Sequence, residues 1–260
     1  MKSVFAPLVL WGLWRLCAAF MLNIWHLDFD PKFYFICTFL LTFGCILHGG
    51  FAWSTVRTIQ SRPVIWAVIL AGVIGFAPLQ IDGPVWSELT LVLRIVAAMA
   101  IGLWIGFKIE QPSYLWPLVM VGLTMDVASI LWSGSFTQSV VQSVTVMPTV
   151  AHPLLIYTPT GALHMPLFGL ADSVFCMMFV GAAQHLALSK IALLRGLWIG
   201  GGLGLAVLLW TASPVPLLPF LGVCGAGSLG RSVAPERKDL LQTAVFLGAS
   251  ALIFILLWLK

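Results

Sequence analysis

"LFGLADSVF", residues 167–175, places an aspartate, Asp172, among Leu, Phe, Val and Ala inside a long apolar run. At the middle of a membrane helix an ionised carboxylate costs about 3 kcal/mol even on the mildest scale. The surroundings are of the same kind over most of the chain. Of 260 residues, 60% are hydrophobic and 8% charged, with mean hydropathy +1.04, which excludes an ordinary soluble domain. The apolar stretches are continuous rather than alternating, which excludes an outer-membrane barrel. The expected fold class is therefore an all-α polytopic membrane protein.

Apolar segments at 4–22, 33–52, 63–80, 89–107, 114–134, 163–186, 192–212, 214–227 and 240–259 predict about nine transmembrane helices in a single domain, 1–260. Segment one follows Lys2 like a secretory leader. It is long for one and carries Arg15, so it is read as a membrane helix, with cleavage left open. Nine spans with the N-terminus inside leave Lys2, Arg57, Arg62, Lys108, Lys190, Arg195, Arg231, Arg237 and Lys238 inside. Only Lys32 and Lys260 fall outside, as the positive-inside rule expects. A prokaryotic plasma membrane is the expected location. The formal charge of +4 is thus a topology signal, and no nucleic-acid partner is implied.

Arg15 and Arg94 lie within spans, where snorkelling or helix–helix hydrogen bonding accounts for them. The five cysteines are scattered without a CxxC pair, and the histidines show no metal spacing, so neither metal nor cofactor is expected. Gly196, Gly200 and Gly204 form a small-residue stripe suited to close helix packing.

Seven of the nine acidic residues, Glu88 among them, fall in loops or at segment ends. The other two, Asp126 in "VGLTMDVASI" and Asp172, lie well inside consecutive, antiparallel spans. Asp126 is about twelve residues in from one side and Asp172 about nine from the other, so comparable depth is expected. Two facing carboxyls would share one proton, which lowers the cost of burying both. Such a pair could activate water for attack on a peptide carbonyl, serve as a proton relay in a transporter, or be purely structural.

A third element is "SPVPLLPFLGV", 213–223, where Pro214, Pro216 and Pro219 obstruct a regular helix start and free backbone groups at membrane depth. An intramembrane Asp, then Gly-Leu-x-Asp, then Pro-x-Leu after one more span resembles the presenilin and signal peptide peptidase family of GxGD intramembrane aspartyl proteases. The resemblance covers about residues 120–225. It implies a presenilin-like fold, with Asp126 and Asp172 as the catalytic pair and Gly169 as the motif glycine. It makes Pro216, Leu217 and Leu218, followed by Pro219, the Pro-Ala-Leu equivalent. By the same likeness Pro153, Leu154, Leu155, Ile156 and Tyr157 belong to an extended segment that pairs with substrate. The substrates implied are peptide segments that span the lipid bilayer, of type II or signal-peptide-like orientation. Residues 1–113 would then form an N-terminal four-helix part, 114–227 the catalytic core and 228–260 an extra C-terminal helix. The chain departs from the family's motifs at Met125, where Tyr is usual, at Ala171 in place of the second glycine, and at Leu217 in place of Ala. A proton-coupled transporter built on the same Asp pair, or an inactive homologue that binds membrane helices, would share these features.

Overall fold

A computed structural model describes residues 11–15, 17, 30–55, 70, 84–131, 155–158, 166–211, 217–245 and 248. In chain order the elements are α1 (Pro31–Ser54), α2 (Pro84–Gly106), α3 (Leu115–Leu131), strands β1 (Leu155–Tyr157) and β2 (Pro166–Gly169), α4 (Leu170–His185), α5 (Lys190–Thr211) and α6 (Leu218–Leu229). Short 3₁₀ turns precede α3 and follow α6, and 11–15 and 237–245 are also helical. The described residues are mostly helical. Among the described residues three helices are long and apolar enough to cross a membrane: Lys32–Ser54, Trp86–Gly106 and Lys190–Thr211. The expected spans at 4–22, 63–80 and 240–259 lie largely outside the described residues.

The residues divide into two units, Met1–Lys108 with Val140–Gln184, and Ile109–Ser139 with His185–Lys260. In the first unit α2 and α4 meet backbone to backbone. A Cβ at Gly102 would strike the Val174 carbonyl oxygen, one at Gly106 the Met178 carbonyl oxygen, and one at Gly181 the Leu103 carbonyl oxygen. Gly50 of α1 opens a similar notch, filled by the Met177 thioether. Small residues at these positions let the helices approach closely, which is where packing energy between apolar helices comes from in lipid.

The same unit holds a small antiparallel sheet. Leu155 pairs with Gly169, Ile156 with Phe168 and Tyr157 with Pro166, with a register irregularity after Ile156. Phe168 anchors it by meeting the rings of Phe39 and Phe43 edge-on, with centroids 5.6 and 6.1 Å away. Two expectations are corrected here. The chain is not purely helical, and the span expected over 163–186 begins as strand, with helix only from Leu170. Pro166 supplies no N–H to a helix and Gly169 resists helical order, while β1 offers the backbone another partner.

In the second unit α5 packs along α6 through the glycine stripe. Gly196 lies against the Cys224 carbonyl and Ser228, Gly200 against Phe220, and Gly204 against the Leu217 side chain. The outward side of α5, with Ile191, Ile199, Leu203 and Trp210, is exposed and apolar, as a lipid-facing surface would be.

Candidate functional site

Asp172 belongs to the first unit and Asp126 to the second. Asp172 is buried, and it lies in the first turn of α4 rather than nine residues into a span. Gly169, at the strand–helix junction, donates its backbone N–H to Asp172 Oδ2 at 2.8 Å. With Leu170 as the first helical residue, Asp172 is the third and reaches back to the residue before the helix, one half of a capping box. Its carboxylate also sits at the positive end of the helix dipole. The preceding strand fixes Gly169, so β2 and α4 together determine where the carboxylate points.

Asp126 is half-buried on α3 and receives a hydrogen bond from the backbone N–H of Leu218. Leu218 opens α6, with Leu217 as N-cap and Pro219 directly after it. Proline is tolerated there because the first turn's N–H groups have no intrahelical acceptor in any case. The obstruction expected from Pro219 is thus absorbed at a helix start. The first Asp and the Pro-x-Leu element, about ninety residues apart in sequence, are joined by this contact. Each of the two carboxylates therefore meets a backbone N–H at a helix N-terminus, Asp172 on its own helix and Asp126 on another.

Of the other residues singled out, Leu155, Ile156 and Tyr157 form β1, with Ile156 and Tyr157 buried. Gly169 ends β2, and Leu217 is buried against Gly204. Pro153, Leu154 and Pro216 lie outside the described residues. Among the described residues no group of three or more His, Cys, Asp and Glu could hold a metal ion.

Two features escaped the sequence. Glu88, expected at a segment end, is buried within α2 and accepts from Arg15 Nε at 2.6 Å. This is the helix–helix pairing of Arg15. Arg94, also on α2, donates to Thr90 at 3.3 Å and lies within electrostatic reach of Tyr157 on β1. A charge in an apolar segment is the only sequence signal for either, and it does not name the partner. No protein-family model matches the chain, and neither does any curated protein.

Proposed function

We propose that the chain is an intramembrane aspartyl protease of presenilin-like fold, in which Asp126 and Asp172 act as a pair on the peptide bond of a membrane-spanning segment. The observation that carries this reading is the hydrogen bond from Leu218 to Asp126, which ties the first aspartate to the Pro-x-Leu element. The strand pair leading into Asp172 supports it, because an extended substrate could add to such a sheet through its backbone. One Asp takes a proton from water as the water oxygen bonds to the carbonyl carbon. The other gives its proton to the carbonyl oxygen, and the amide nitrogen is protonated as the C–N bond breaks. The basic-residue distribution puts the N-terminus and the start of α3 inside and loop 135–162 outside, so type II segments are the substrates proposed.

The test is cleavage of a labelled single-span type II peptide by purified protein in detergent, with Asp126→Asn and Asp172→Asn compared at matched folding. Both variants should lose about 10²–10⁴ in rate, the usual share of acid–base catalysis. Cleavage that survives either substitution sinks the mechanism. Wild-type protein inert over a panel of substrates would move the reading to a proton-coupled transporter or a helix-binding homologue. One observation favours the last of these. Asp239 makes the same contact as Asp172, accepting the Glu236 backbone N–H at 3.2 Å, with no second acid implied. The capping bond at Asp172 is therefore sufficient for a structural role.

A further inference from the structure

Arg15 is wholly buried in the first unit, and its guanidinium is only partly used. Nε donates to Glu88, and the group lies 5.5 Å from the centroid of the Trp11 ring. Nη1 and Nη2 are buried and make no hydrogen bond. A buried charged group with unmet donors is costly unless a further partner satisfies them. The surroundings are polar on one side. Tyr34, Thr38 and Thr42 are buried at one-turn spacing along α1, with Thr42 accepting from Trp11 Nε1 at 3.2 Å. Tyr34 lies within electrostatic reach of both Arg15 and Glu88.

Position and shape narrow the partner. Tyr34 and Glu88 come about one turn after the starts of α1 and α2, about 4.5 and 6 Å along the axis at 1.5 Å per residue. In a membrane protein that is the headgroup boundary, where phosphates concentrate. The Nη edge of a guanidinium is a planar fork that matches two oxygens of a phosphate, and a guanidinium can hold one anion on Nε and another on that edge.

We propose that the Nη edge of Arg15 is a phosphate-binding site, occupied in the bilayer by the phosphodiester of a lipid headgroup. It is separate from the aspartate chemistry and holds whether or not that chemistry does.

The experiment uses full-length protein, delipidated in detergent. Thermal stability is followed on adding micellar phosphatidylglycerol or inorganic phosphate. Wild type is compared with Arg15→Leu/Glu88→Leu, which replaces the ion pair with apolar side chains, and with Arg15→Lys, which keeps the charge and loses the fork. Stabilisation of wild type by the lipid alone establishes the headgroup, and stabilisation by both ligands establishes a site for phosphate in general. In either case Arg15→Lys should weaken the apparent affinity by about tenfold or more, and the double variant should not respond. If neither ligand shifts wild type, or both variants shift as wild type does, the proposal falls. Arg15→Lys supplies the comparison if the double variant fails to fold.

Discussion

Among the described residues, each buried or half-buried acid at issue, Glu88, Asp126 and Asp172, is answered by a specific group. Arg15 and Glu88 answer each other across two helices, at 0% and 2% side-chain exposure. Removing one partner leaves the other charged and stranded, so Glu88→Ala should cost about 3–5 kcal/mol in reversible unfolding. Arg15→Leu/Glu88→Leu should recover most of that loss, because the desolvation cost disappears with both charges. A double variant no more stable than Glu88→Ala would mean that the pair has no mutual dependence. The aspartates obey the same rule by a different route, each meeting an N–H that a helix start leaves over. For Asp172→Ala, loss of the Gly169 contact should cost about 1 kcal/mol, in the range of a helix cap, measured as a fall in thermal stability. Arg15, Asp126 and Asp172 stood out in the sequence, and Glu88 did not. The partners were not legible, since a separation of 73 residues between Arg15 and Glu88 leaves no local pattern to read.

Elements were legible in proportion to their length. α1, α2 and α5 follow from long apolar runs, and the glycine stripe of α5 from spacing alone. The start of α4 was not, because "MPLFGL" is equally apolar as strand or helix and only its pairing with β1 decides between them. That pairing depends on Phe168 and its ring contacts with α1. Phe168→Ala should cost about 3–5 kcal/mol and, in hydrogen exchange, expose the amides of β1 and β2 before those of α4. The α2–α4 interface is less forgiving of added volume than of lost volume. Gly102→Ala should destabilise by about 1–3 kcal/mol, since the new methyl meets backbone that cannot turn aside. Gly202, with open space around it, provides the control and should accept Ala with no loss.

For the whole molecule, composition fixes the solvent. The exposed apolar side chains of α5, with Ile199 58% and Trp210 87% accessible, suit a lipid-facing surface. Replacing Ile199 with Lys should impair insertion by about 2.5–3.5 kcal/mol near the helix centre, read as the fraction of chains resisting alkaline extraction. The two units are each discontinuous in sequence, and this has a consequence for how the protein is made. A ribosome delivers α1 and α2, with the glycines Gly50, Gly102 and Gly106 that floor the groove, well before it has made the helix that fills it. At about 5–20 residues per second that gap lasts several seconds, and α3, a member of the other unit, is synthesised within it. The newborn protein thus passes through a stage in which the berth shaped for α4 stands vacant.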